Sequence, residues 1–474
     1  MASPDRARRV AAPAARRMPI PGPVPDAARL GGLFAVEWTP LYAAFLVYLF
    51  AMITFVLPGN VGMVLALAAL PFQRGALRRP ALLWLFGAYL LWAAVGKGQS
   101  AYPEVVAGRL VDYGKLWLIA LVAVNALRTR AQLRFFLVFA LVSFALFPAR
   151  GAIVNYLGGY TLWGRALWNH IYANPNDLAA LTLLQLAGAT ALLATDRSRW
   201  IRLGALASVL VLSVLVLMTQ SRGALIALAV FAVLALAGQR RRRGAPLLAA
   251  AVVAAAVLFA PAGVWERARG LVNVTSTETL AEADHEGSAQ QRFVIWTVAA
   301  AIIADHPVAG VGLGAYPEAH ERYAASQGVA RTAGGKRDTH DTFLNVAAET
   351  GYPGLVLFLA MLGAVVFAAE RARRAVRAVD RAAADRLWLL EAGLFAYLAA
   401  GVFGSFAHLS HMYLYLALLT AAALEVRDRA APAGWRGFRP CVRDAARGVG
   451  VSVNPSVPGL FREARRHPAS RGGG

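Results

Sequence analysis

The sequence predicts an all-α protein, a polytopic membrane helix bundle of about twelve transmembrane helices with one long loop on its outer side. Composition points there first. Of the 474 residues 58% are hydrophobic and only 16% charged, where a soluble domain carries about 25% charge. The apolar residues form long continuous runs, which a membrane barrel, with its alternating pattern, does not. The basic residues are also segregated. If both termini lie in the cytoplasm, most of the 48 Lys and Arg residues fall on the cytoplasmic side, as the positive-inside rule requires.

The elements follow in order. Residues 1–40 are rich in Pro, Ala and Arg and lack an apolar core with a cleavage site. They read as a disordered basic cytoplasmic arm, with the first span acting as an uncleaved insertion signal. The transmembrane domain occupies 41–426, with spans at roughly 41–57, 61–72, 81–96, 111–127, 134–148, 177–194, 202–219, 222–238, 246–264, 352–369, 387–406 and 409–426. A span needs about 20 apolar residues, so 61–72 and 111–127 either extend past these limits or are partly re-entrant. The connections assigned to the cytoplasm are basic, as at Arg74, Arg78 and Arg79, at Arg240 to Arg243, and at Arg371, Arg373, Arg374 and Arg377. Residues 427–474 read as a basic cytoplasmic tail. The net charge of +22 therefore reflects topology and contact with anionic membrane lipid, not nucleic acid. The single cysteine, Cys441, excludes an intramolecular disulfide and a Cys-based metal site. No internal repeat is found, which disfavours transporters built from duplicated halves.

Two connections are long, 149–176 and 265–351, the second containing most of the outer polar residues. Within it, residues 289–304 read as an amphipathic helix with Phe293, Trp296, Val298, Ala299 and Ile302 on or near one face. The glycine run at Gly310, Gly312 and Gly314 follows a helix instead of a strand. That context makes it a flexible turn against the membrane surface, not a nucleotide loop.

Polar clusters interrupt the oily chain at a few places. Arg222 stands where two spans meet; it either snorkels to the headgroups or binds an anion with its planar charged fork. Ser221 and Gly223 beside it would let backbone approach the same anion. Arg165, His170, Asn174 and Asn176 precede the sixth span; there Asn176 either N-caps a helix begun by Asp177 or, with Arg165, contributes to substrate binding. Arg292 alone reads as a solvated charge. His340 is either a contact at a helix N-terminus or a base suited to proton transfer near neutral pH. Asp341 and Glu349 are the available orienting carboxylates. His306 and His320 lie outside any compact polar motif. A short helix after His340 should break at Gly351-Tyr352-Pro353-Gly354. No metal site is expected, since no acidic pair stands at ligand spacing.

Taken together, these residues resemble the O-antigen ligase and polymerase superfamily. The resemblance rests on Ser221-Arg222-Gly223-Ala224 between paired spans, Asn174-Pro175-Asn176-x-x-Ala179, and Arg292 followed by Ile295-Trp296. It continues through His306-Pro307 with Gly310, Gly312 and Gly314, and through His340-x-x-x-Leu344 with Glu349-x-Gly351-x-x-Gly354. It covers roughly 150–370. It implies a C-type glycosyltransferase-like fold in the bacterial inner membrane, with an active site on the periplasmic face. A glycan would pass from undecaprenyl diphosphate to an acceptor hydroxyl, on lipid A–core or on another glycan. Arg222 and Arg292 would correspond to the family's diphosphate-contacting arginines and His340 to its essential histidine, with neither metal nor other cofactor. Asp341 departs from the pattern, because family members commonly carry Asn there. A ligase is the leading expectation and an O-antigen or exopolysaccharide polymerase the alternative. A protein-glycosylating relative would carry a further large domain. From another class, a transporter of polyprenyl-linked sugars or small anions should place ionisable residues near the bilayer midplane, whereas here they cluster at span ends.

Overall fold

The computed structural model describes residues 30–73, 75–239, 288–329 and 333–430. Among these the chain is helical and has no strand; one isolated bridge joins Leu162 and Arg165. The helices are α1 (Pro40–Thr54), α2 (Gly59–Ala69), α3 (Ala81–Lys97), α4 (Pro103–Ala126), α5 (Arg130–Phe144), α6 (Arg150–Leu157), α7 (Pro175–Thr195), α8 (Arg199–Met218), α9 (Arg222–Gln239), α10 (Ser288–Asp305), α11 (Tyr316–Ser326), α12 (Thr342–Val376), α13 (Arg381–Gly401) and α14 (Ser410–Ala430).

Local chemistry sets their ends. α1 starts with Pro40 behind Thr39, whose hydroxyl accepts the Tyr42 N–H at 3.1 Å. α5 starts with a capping box, Thr129 and Gln132 each meeting the other's backbone N–H. A π turn at Ala145–Ala149 accommodates Pro148 and carries α5 into α6. Inside α12 only Gly351 leaves helical geometry, at φ 68° and ψ −177°. The break expected there is therefore a kink, and the helix resumes at once.

Four helical stretches are long and apolar enough to cross a membrane: Arg130–Leu157, Pro175–Thr195, Arg199–Met218 and Thr342–Val376. Pro40–Thr54, Gly59–Phe72, Ala81–Lys97 and Arg222–Gly238 are shorter and equally apolar. The span expected at 111–127 begins earlier, at Pro103. Glu104 and Arg109 had hidden its first turns, because they interrupt the apolar run without breaking the helix. The span at 246–264, residues 1–29 and 431–474, Arg74, Arg240 to Arg243 and Cys441 lie outside the described residues. Residues 30–39, expected to belong to the disordered arm, are instead packed on the bundle: Leu33 and Val36 are buried and the Glu37 carbonyl accepts from the Gln132 amide at 3.0 Å.

Short connections make successive helices antiparallel. α7 lies deepest, buried on nearly every side and packed chiefly on α8 and α13; α12 packs on α3, α13 and α14. One end of the bundle gathers the connections carrying the candidate residues. The Phe55 and His170 rings stack there at 4.4 Å, the Ser100 hydroxyl donates to the Val311 carbonyl at 2.6 Å, and the Tyr102 hydroxyl to the Glu318 carbonyl at 3.2 Å. The other end gathers ion pairs between basic connections: Arg78 with Asp428 at 2.6 Å, Arg134 with Asp196 at 2.7 Å, and Arg130 with Asp380 at 3.5 Å.

Two expectations for the long loop change. α10 buries Ile295, Val298, Ala299 and Ile302, but Phe293 points outward at 63% exposure. Phe293 sits at the edge of the apolar stripe, where a ring is free to leave the core. The glycine run is packed, not flexible. Val311 and Gly312 donate backbone N–H groups to the Ala348 and Glu349 carbonyls, each at 2.9 Å. Gly310 sits at φ 67°, and a Cβ there would lie within 2.5 Å of the Glu349 carbonyl oxygen. Only glycine permits that approach of one backbone to another.

Candidate functional site

His340 occupies the tip of a turn held from three sides. Trp296 of α10 donates its indole N–H to the Thr339 carbonyl at 2.9 Å. The buried Thr339 hydroxyl donates to the Asp341 carbonyl at 2.8 Å and lies 2.8 Å from the Ser405 hydroxyl. Thr342 donates to the Gly404 carbonyl at 2.6 Å. Clamped this way, His340 adopts φ 51°, a left-handed conformation uncommon for residues other than glycine and found at strained functional positions.

The two expected orienting carboxylates are otherwise occupied. Asp341 caps α12, its Oδ1 accepting the Phe343 and Leu344 N–H groups at 2.7 and 2.9 Å. Burial leaves its pKa raised, and those two bonds offset only part of the shift. An acidic cap also suits the positive end of the helix dipole. Glu349 is buried one helical stretch further on. It accepts from the Asn345 amide at 3.3 Å and from the Gly314 backbone N–H. Glu349 therefore anchors the glycine turn.

The acidic group that acts on His340 is Asp338, which the sequence reading passed over. Burial lowers the His340 pKa; Asp338 opposes this, and Arg292 and Arg337 reinforce it. The imidazole is thus biased toward its neutral form, with a nitrogen lone pair available at neutral pH. Arg292 stands one helical turn before Trp296, which explains how the α10 contact with Thr339 brings this guanidinium into range. Asp338 also acts on His408 in the 402–409 connection, where burial lowers the pKa, Asp338 raises it and Arg109 lowers it. His408 and Arg109 were missed as well. Arg109 gave a signal, a charge in the first turns of an otherwise apolar helix.

A second cluster lies at the junction of α8 and α9. Arg165 donates from Nε to the Thr219 carbonyl at 2.8 Å and from Nη2 to Asn176 Oδ1 at 2.7 Å. The Gln220 amide donates to the Gly164 carbonyl at 2.8 Å, with Gln220 itself at φ 51°. Arg165, Asn176, buried Ser221 and half-buried Arg222 are thereby gathered around one turn. The cap expected of Asn176 is made instead by Asn174, whose side chain accepts the Asn176 N–H at 2.8 Å, and the helix begins at Pro175. A proline at the first position needs its cap one residue earlier, which frees Asn176 to hold Arg165. Gly223 serves packing: a Cβ there would stand 2.6 Å from Phe403 Cβ.

That last contact joins the two clusters. Phe403 belongs to the 402–409 connection, the same one whose Gly404 and Ser405 hold Thr342 and Thr339. The Arg222 turn and the His340 turn are seated on one loop. His320, by contrast, is buried and bonded through Nδ1 to the Gly335 carbonyl at 2.8 Å, and His306 stacks edge-on with Tyr323. Among the described residues no three His, Cys, Asp or Glu side chains gather as a metal-holding group.

No curated protein sequence matches the chain. Residues 206–359, the stretch that carries Arg222, Arg292, His340 and Glu349, match the family model described as O-antigen ligase.

Proposed function

We propose that the chain is an O-antigen ligase-like glycosyltransferase of the bacterial inner membrane. It moves a glycan from undecaprenyl diphosphate to a hydroxyl of lipid A–core. The observation that carries this reading is the seating of the Arg222 and His340 turns on one loop, with Arg292 brought within electrostatic range of a neutral-biased His340. In this topology the chain crosses the membrane about twelve times, both termini are cytoplasmic, and the His340 end is periplasmic.

The reaction needs three things from the protein. A base must take the acceptor's hydroxyl proton as its oxygen bonds to the anomeric carbon; His340 does this. Charge must be met as the anomeric carbon–phosphate oxygen bond breaks and the lipid diphosphate departs with the bonding electrons. Arg222 and Arg292 do this, as fixed cations with fork geometry. The Arg222 turn must hold its shape during the reaction, which Arg165 and Asn176 secure. The activated donor supplies the driving force, so no nucleotide is consumed.

The test is the surface glycan pattern of a null mutant, complemented with the wild-type chain or with His340→Ala. Loss of long chains from lipid A–core, with long polymer still on the lipid carrier and no rescue by His340→Ala, is expected. A single repeat unit capping the core would instead identify a polymerase. An unchanged pattern in the null would overturn both and favour a transport or exopolysaccharide role.

A further inference from the structure

At the end of the bundle opposite His340, α9, α12 and α13 enclose a cavity of about 360 Å³. Arg373, Arg377 and Arg381 line it together with Asp385, Trp388 and Gly238. The packing around it is specific. The Trp388 indole donates to the Leu234 carbonyl at 2.8 Å, which fixes the ring against α9. Gly238 lets α9 pass so close that any side chain there would collide with that ring. The Arg373 guanidinium stacks over Trp388, 5.0 Å from its centroid, and pairs with Glu370. Arg381 reaches Asp385 only at 3.9 Å, and Arg377 has no ion-pair partner among the described residues. Glu370, Glu391 and Asp385 all act on Arg373, whereas among the described residues Arg377 and Arg381 have no carboxylate closer than 3.9 Å.

We infer that this cavity binds a phosphate-bearing anion, and that the phosphodiester headgroup of an anionic membrane lipid is its occupant. Depth argues for the lipid. From the kink at Gly351 the helical run to Arg373 rises roughly 33 Å, against about 30 Å for the hydrocarbon core of a bilayer. If the kink lies at one membrane surface, the cavity lies among the headgroups of the other. Arginine forks match phosphate oxygens two at a time, and basic pockets between spanning helices hold anionic headgroups. A tryptophan fixed at the same level is the expected interfacial anchor. The site is independent of the transfer reaction and survives if that reading fails.

Native mass spectrometry of the full-length protein, purified in neutral detergent and offered phosphatidylglycerol or phosphatidylcholine, tests it. The wild type should retain phosphatidylglycerol preferentially, and the Arg377→Gln/Arg381→Gln pair should lower that retention by about tenfold or more. Both positions are exposed, and matching unfolding temperatures in neutral detergent would confirm that the variant is folded. Inorganic phosphate at millimolar concentration, added to the wild type, separates the two sources. Displacement shows that the phosphate group alone satisfies the arginines, and persistence of the lipid shows that the acyl chains add to the hold. Equal retention of both lipids by the wild type, or equal phosphatidylglycerol retention by the wild type and the double variant, would overturn the inference.

Discussion

The two ends of the bundle use the same residue types in opposite ways. Away from His340, arginines meet carboxylates directly, across helices: Arg78 with Asp428, Arg134 with Asp196, Arg130 and Arg429 with Asp380. At the His340 end, carboxylates meet backbone. Asp341 takes two helix N–H groups and Glu349 takes the glycine turn. Backbone there is also bent into unusual conformations at Gln220, His340, Gly310, Gly312 and Gly314. One end spends charge on tying helices together, and the other spends hydrogen bonds on shaping loops around a group of cations and an imidazole. The first arrangement ties together elements that are already packed, and the second sets the shape of the turns themselves.

The largest effects should therefore come from the second. His340→Ala should lower glycan transfer by about 10²–10⁴-fold, the usual contribution of a positioned base. Arg222→Ala and Arg292→Ala should each lower it by about 10²–10³-fold if they stabilise the departing diphosphate. Transfer assayed in membranes holding equal amounts of protein checks this. Wild-type rates in all three would remove the site.

Next comes the glycine turn. Gly310→Ala forces a side chain into φ 67° and into the Glu349 backbone, a strain of about 1–3 kcal/mol before any collision is counted. Gly204 of α8 has open space around its Cβ position, and Gly204→Ala should be neutral or stabilising by up to about 1 kcal/mol. Equal unfolding temperatures for the two variants would mean that the turn is as loose as its sequence suggests.

That glycine turn shows what was legible in the sequence. Helix positions were, because apolar runs and caps are local: α7, α8 and α9 each begin and end within a few residues of their expected limits. α4 was cut short because charge was read as a boundary, although a charged turn at the end of a long helix stays helical when packed. Arg165, Asn176, Ser221 and Arg222 gather at one turn and His340 stands in another, while Arg292 and Glu349 lie on helices; the partners of these residues were invisible in the sequence. Asp341 adjoins His340 in sequence yet caps a helix, while Asp338, two residues away, is the carboxylate that acts on the ring. His408, from the 402–409 connection, and Arg109, from α4, come from distant parts of the chain, and no local pattern marks a contact made only on folding. The packing of Gly310 on Glu349 and of Gly223 on Phe403 is of the same non-local kind.

Asp338 gives a finer test. His340 is depressed below the ordinary histidine value of 6.5, with burial the main cause. A reaction needing the neutral ring should hold its rate as pH falls through 6.5 and decline only below it. Asp338→Asn removes the charge that favours the imidazolium, so the decline should move to still lower pH. Arg337→Gln removes a repelling cation, so the decline should move up, toward 6.5. A pH–rate profile of transfer for each variant reads these shifts. Identical acid limbs in all three proteins would detach His340 from proton transfer.

The smallest effect belongs to the opposite end. Arg78 and Asp428 meet at 2.6 Å, but the carboxylate is 48% exposed, so water and salt screen the pair. A double-mutant cycle between Arg78→Ala and Asp428→Ala should give under about 1 kcal/mol of coupling, and less at high salt. Asp196 sharpens the contrast, being 2% exposed and gripped by both Arg134 nitrogens. Removing Arg134 leaves a buried carboxylate with only the Ser198 N–H at 2.8 Å to hold it. Arg134→Ala should therefore destabilise more than Arg78→Ala, because what matters is the carboxylate left behind in a dry place. If the two substitutions prove equally mild by thermal unfolding, the ion-paired end is wetter than its packing indicates, and the contrast between the two ends rests on the loops around His340 alone.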